Sequence, residues 1–227
     1  MTVSTTRVVG LMLWILVGCA ACSTGREVTE VQRLQARAAF ERGLKHFEAR
    51  EASHALAALR EAVSLDPTSA IYRDTLGLVF SQIQRPDLAL EQFREAVALD
   101  PLSGDANFHL GVALAESAKW AEAVAAYRKA LALPTLTVPD LAHQNLGLAL
   151  YHLRQYPEAE QELRFAISLS PEMQAAYYHL GLVLMAQARL ADARTVLTRA
   201  KALGPDTPFG EAAELRLNSL GGEPSRP

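Results

Sequence analysis

The sequence predicts an all-α solenoid of about five helix-turn-helix repeats closed by a C-terminal capping helix. Three observations carry that expectation. A glycine recurs inside apolar stretches at Gly43, Gly77, Gly111, Gly147 and Gly181, with spacings of 34, 34, 36 and 34 residues. Alanine follows twelve positions later in every unit (Ala55, Ala89, Ala123, Ala159, Ala193) and again seven beyond that (Ala62, Ala96, Ala130, Ala166, Ala200). Pro67, Pro101, Pro171 and Pro205 then close four of the units. A fixed period of this length is the mark of stacked supersecondary units. The small residues fall where two helices of a hairpin cross closely, and each proline stops the second helix and turns the chain into the next unit.

Residues 1–18 read as a removed signal segment. Arg7 gives a positive start, and residues 8–17 are apolar apart from Gly10. Residues 8–21 supply only 14 positions, whereas crossing a bilayer as a helix takes about 20. The run Leu16-Val17-Gly18-Cys19 resembles a bacterial lipobox. That resemblance implies cleavage before Cys19, a diacylglycerol on its sulfur and a further acyl chain, such as palmitate, on the new amine. Two or three buried acyl chains hold a protein firmly on a bilayer. The next residue is Ala20 rather than Asp, which in Gram-negative sorting implies the outer membrane, periplasmic face. Cys22 follows a poorer motif, Cys19-Ala20-Ala21, and is left as a spare thiol or an intermolecular crosslink. Residues 19–26 form a lipidated tether reaching about 25 Å at full stretch, so the solenoid over residues 27–220 stays close to its membrane.

Residues 27–50 read as one long helix, with Val28, Val31, Leu34, Ala38 and Phe40 near helical spacing, capping the array or leading toward the anchor. The repeats start at about Ala36, Ala70, Gly104, Asp140 and Gln174. Each contains two amphipathic segments, as with Ile71, Leu76, Leu78 and Val79 followed by Leu88, Leu90, Phe93, Ala96 and Val97. Neither segment is long enough to hold alone. Pro86 and Pro157 sit near the start of second helices, where a missing N–H costs little. The third unit is two residues long, with Pro134-Thr135-Leu136-Thr137-Val138-Pro139 at its end. This is either an insertion carried in a surface loop or a bend that shapes a partner groove. Residues 209–220 read as the capping helix and 221–227 as a flexible tail.

Composition sets bounds. With 22 basic and 25 acidic residues the formal net charge is −3, and no basic patch marks a nucleic-acid partner. Both cysteines precede residue 23, so the solenoid has no internal disulfide and rests on stacked apolar faces. The six histidines (His46, His54, His109, His143, His152, His179) form no HExxH motif and no pair one helical turn apart. No metal, cofactor or small-molecule substrate is expected, and the chain reads as a non-enzyme. His152 falls near the inner surface, as a functional residue or as a polar rim histidine.

The pairs Leu76-Gly77, Leu110-Gly111, Leu146-Gly147 and Leu180-Gly181, with the alanine and proline columns, resemble the tetratricopeptide repeat over about residues 36–207. Arg42 precedes the glycine in the first unit, which is the weakest. The resemblance implies a right-handed superhelix whose first helices line a concave face, with repeat positions 2, 5, 9 and 12 pointing into it. Position 9, commonly Asn, is here Leu44, Leu78, Val112, Leu148 and Leu182. Position 5 is Phe40, Asp74, Phe108, Gln144 and Tyr178, and position 12 is Phe47, Ser81, Ala115, Tyr151 and Met185. The Lys, Arg and Asn set by which chaperone-binding repeats hold a C-terminal carboxylate is missing from positions 5 and 9. The expected partner-binding groove is therefore Phe40, Leu44, Phe47, Leu78, Phe108, Val112, Leu148, Tyr151, Tyr178, Leu182 and Met185. It suits an amphipathic helix or an extended apolar peptide, unless position 9 is spent on packing against the neighbouring helix.

Lipobox, short tether and solenoid together resemble the type IV pilus biogenesis lipoproteins of the PilW, PilF and Tgl kind, pilotins that promote outer-membrane assembly of a PilQ-like secretin. The long third junction, ending in Gln144-Asn145-Leu146-Gly147, is similar to theirs. Those proteins typically carry six repeats, against five and a capping helix here. The resemblance implies a non-catalytic scaffold with a protein partner. The other expectation is a general periplasmic adaptor lipoprotein for peptidoglycan enzymes or polysaccharide export.

Overall fold

Among the described residues five left-handed positions recur, one per unit: Arg50, Gln84, Ala118, Arg154 and Ala188, with φ between 55° and 60°. Each ends a first helix and releases the chain into a second. At the third, Lys119 N–H donates to Leu114 C=O at 2.9 Å and Ala118 N–H to Ala115 C=O at 2.9 Å, and the same two bonds recur in the other four turns. This is a Schellman closure, which usually employs glycine at the left-handed position; none of the five is glycine here.

The computed structural model describes residues 28–221, and among these the chain forms eleven helices and no strand. They are α1 (Glu30–Glu48), α2 (Ala52–Leu65), α3 (Ala70–Gln82), α4 (Pro86–Leu99), α5 (Gly104–Glu116), α6 (Trp120–Leu131), α7 (Pro139–His152), α8 (Tyr156–Leu169), α9 (Gln174–Ala186), α10 (Leu190–Leu203) and α11 (Pro208–Gly221). The expected signal segment, the tether with Cys19 and Cys22, and residues 222–227 lie outside the described residues. Among the described residues no helix is long and apolar enough to cross a membrane.

Successive helices pair into five hairpins, and α11 packs on α10 and α9 as the expected cap. Within every hairpin the glycine is a notch filled by one large side chain of the second helix. A Cβ built on Gly43, Gly77, Gly111, Gly147 or Gly181 would lie 2.5–2.7 Å from Leu59, Phe93, Tyr127, Leu163 or Leu197 respectively. Both alanine columns are fully buried. The small residues thus act by close approach, letting the backbones converge around one inserted side chain.

Helix boundaries shift by one to three residues from the sequence expectation, α1 ending at Glu48 rather than at residue 50. Helix α1 starts at Glu30 rather than at residue 27, because Thr29 and Gln32 form a reciprocal capping box that sets the helix N-terminus. Val31 and Leu34 are 64% and 63% exposed. The 19-residue α1 outruns the 14-residue α2, and its first turns share an open cavity with Asp66 and Tyr72. At the other end Gly221 belongs to α11 rather than to the tail.

The long third junction is looped back onto its own repeat. Thr135 Oγ1 accepts from Gly104 N–H and donates to Leu102 C=O, both at 2.7 Å, and Asp105 accepts from Thr137 N–H at 2.8 Å. Backbone of Leu136 occupies the place a Gly104 side chain would take, so only glycine can open α5. The stack continues across it, with α7 packed on both α6 and α5.

Candidate interaction groove

The first helices touch one another in series, α1 to α3, α3 to α5, α5 to α7, α7 to α9, and α9 to α11. Among the described residues the second helices make no comparable backbone approach to each other. They are linked across their outer side by exposed ion pairs such as Arg94–Glu122 at 3.3 Å and Arg128–Glu158 at 2.5 Å. Helices that converge on one side and splay on the other describe a curved wall, with the first helices inside. The outer pairs are exposed and each contributes under ~1 kcal/mol. Curvature is set by the packed inner ladder.

Hydrogen bonds stitch that ladder at alternate junctions. Asp74 of α3 meets His109 of α5 at 2.9 Å, and Gln144 of α7 meets His179 of α9 at 3.1 Å. Both pairs join position 5 of one unit to position 6 of the next. Position 5 is therefore largely spent on stacking. Phe108 is only 7% exposed and packs toward Tyr127, with ring centroids 6.0 Å apart, so it sits in the core beneath the groove. Phe40 lies against Tyr72 at 4.8 Å at one end, and Tyr178 against Phe209 of α11 at 5.7 Å at the other.

Positions 9 and 12 remain available. Leu44, Leu78, Val112, Leu148 and Leu182 are all half-buried, as are Phe47, Tyr151 and Met185. Part of each side chain packs on its neighbours and part faces solvent. Near the middle of the wall Val112, Ala115, Glu116, Trp120, Tyr127, Asn145 and Leu148 line an open cavity of about 260 Å³. Trp120 stacks flat on His152, with centroids 3.9 Å apart and planes 8° from parallel, and Tyr151 stands beside His152 at 5.6 Å. Trp120 opens a second helix, outside the columns from which the groove was read. Its size and its place beside the helix turn were the signal. His152 serves as the platform for that indole.

His179 is the buried histidine of the inner ladder. Burial first, and then the charge of His152, push its pKa down to about 4. The neutral ring accepts from Gln144 and packs edge-on against Phe209 at 5.6 Å. An unfolded imidazole titrates near 6.5, so the unfolded chain takes up a proton first as pH falls. The stabilisation is complete above about pH 6.5 and is lost as pH drops toward 4, up to about 3 kcal/mol. His179→Gln should remove this dependence: between pH 7 and 4.5 the wild type is expected to lose about 2–3 kcal/mol more than the variant. Equal losses in urea unfolding would exclude it.

The tetratricopeptide repeat model matches residues 75–135 and 145–208, over half the chain. A curated relative, Protein POLLENLESS 3-LIKE 2 of Arabidopsis thaliana, is 37% identical over 90 residues, 36% of this chain. The chain spans about a fifth of that relative's length (21%). Among solved structures, MamA aligns at a TM-score of 0.67 and 24% identity over 74% of this chain and 91% of its own. Pseudomonas aeruginosa pilF gives 0.66 and 22%, over 85% and 94%. PilW, described as a widely conserved type IV pilus biogenesis factor, gives 0.66 and 22%, over 84% and 94%. At these identities the likeness is one of fold. The match of the family model across the observed hairpins shows that the chain belongs to the tetratricopeptide repeat family.

Proposed function

We propose that this protein is a lipid-anchored interaction scaffold on the periplasmic face of the outer membrane, acting like a pilotin in assembly of a type IV pilus secretin. The observation that carries the reading is a conjunction. The run Leu16-Val17-Gly18-Cys19 stands directly before a solenoid that shares its fold with PilF and PilW over more than four fifths of this chain. Helix α11 adds to it, since it occupies the place of a sixth first helix against α9. Five units and the cap thereby supply six helices to the inner wall. The chemistry required is non-covalent. A tether of a few residues holds the wall near the membrane, and the half-buried position 9 and 12 side chains offer an apolar partner a place to leave water.

Cys19→Ala tests the anchor. It is expected to abolish labelling by a fatty-acid analogue, to leave an unprocessed precursor, and to reduce secretin multimers in the outer-membrane fraction. Persistent labelling would move the lipid from Cys19. Full labelling of the wild type with secretin multimers unchanged by deletion of the whole protein would instead favour the adaptor reading.

A further inference from the structure

The first hairpin carries a cluster that the repeat does not require. His46 in the last turn of α1, Glu51 at the start of α2 and His54 one turn on bring one potential ligand atom each to within 4.8 Å of one another. His46 Nδ1 lies 2.6 Å from Glu51 Oε2, His54 Nδ1 lies 3.7 Å from the same oxygen, and the two rings are 5.1 Å apart. Backbone geometry holds all three in place. Glu51 N–H donates to His46 C=O at 2.8 Å, and His54 N–H donates to Glu51 C=O at 3.1 Å. Arg50, with φ 59°, fixes the turn between them.

Each of the three departs from its repeat column. Where the first unit has His46, the other four place Phe80, Leu114, Leu150 and Leu184, all buried. Glu51 stands where they have Arg85, Lys119, Gln155 and Arg189, and His54 where they have Leu88, Glu122, Glu158 and Asp192. Stacking explains the four apolar residues, and it explains none of the changes in the first unit. No unit precedes α1 among the described residues, so this turn lies at an open end of the solenoid with all three side chains reachable from solvent.

We infer that His46, Glu51 and His54 form a binding site for a borderline-soft divalent cation of the zinc class. Imidazole and carboxylate are the ligands such cations select. Bonds of about 2.0–2.2 Å in a tetrahedral site place neighbouring ligand atoms roughly 3.3 Å apart. The observed separations bracket that value, so side-chain rotation alone can close the shell. Three protein ligands leave a fourth position for water or for a group from a partner. The cation would tie α1 to α2 at the end of the array.

Untagged full-length protein in detergent, stripped with chelator, is titrated with Zn2+ by calorimetry and with Co2+ by visible absorption. One equivalent is expected, with ligand-field bands in the Co2+ complex and a melting midpoint raised by at least ~2 °C at saturating Zn2+. His46→Asn, Glu51→Gln and His54→Asn should each weaken Zn2+ binding by at least ~10-fold, the least that even outer-shell partners cost at zinc centres. His152→Asn should leave binding unchanged. The His54 side chain is 72% exposed, so that variant keeps the fold, checked by circular dichroism, and decides the matter if His46→Asn does not. Zn2+ binding by folded His54→Asn at wild-type affinity, or no stoichiometric binding by the wild type, would overturn the site.

Discussion

Gly111→Val is expected to lower stability by at least ~2 kcal/mol and the melting midpoint by about 4–8 °C. The glycine sits where α5 crosses α6, and a Cβ there would stand 2.6 Å from two ring atoms of Tyr127. That ring is 1% exposed and packs toward Phe108, so displacing it costs core contacts. Replacing an interior helical glycine normally gains about 0.5–1 kcal/mol in propensity, and the collision outweighs it. A double-mutant cycle isolates the cause. Tyr127→Ala alone should cost about 3–5 kcal/mol. In its presence Gly111→Ala should become neutral or stabilising, whereas it is destabilising in the wild-type background. Additive effects in thermal unfolding would show that notch and ring are independent.

The second large effect is on binding. Leu148→Glu places a carboxylate in the cavity beside Val112 and Trp120, and Tyr151→Glu places one on the inner wall next to His152. Both residues are half-buried and neither fills a glycine notch, so folding should survive. A groove partner would have to desolvate the new charge, and truncation at a hot spot already costs about 2 kcal/mol or more. Affinity is expected to fall at least ~30-fold. Glutamate at the outer face, as in Ala125→Glu on exposed α6, should leave affinity unchanged.

The repeat made most of the fold legible. Gly and Ala columns report a steric demand that every unit shares, so periodicity alone locates the crossings and the five hairpins. What escaped was chemistry without a period. The left-handed turns carry Arg, Gln and Ala, so no glycine marked them. The overhang of α1 depends on the length of its partner, which Val31 and Leu34 do not encode. Position 9 is apolar by sequence, but its half-burial is a property of the stack. Phe108 looked like a groove residue because its column points inward, yet the notch at Gly111 and the ring of Tyr127 draw it into the core. His46 and His54 are eight residues apart, which hides them from a search for pairs one helical turn apart. The turn at Arg50 brings them together.

On this reading the inner wall is the working surface. It is tested most directly by capturing the protein from detergent-solubilised outer membranes and quantifying co-purified secretin, with wild type, Leu148→Glu, Tyr151→Glu and Ala125→Glu expressed at equal levels. Secretin should be recovered with wild type and Ala125→Glu and lost, at least ~30-fold, with the two groove variants. Equal recovery with all four would contradict the account.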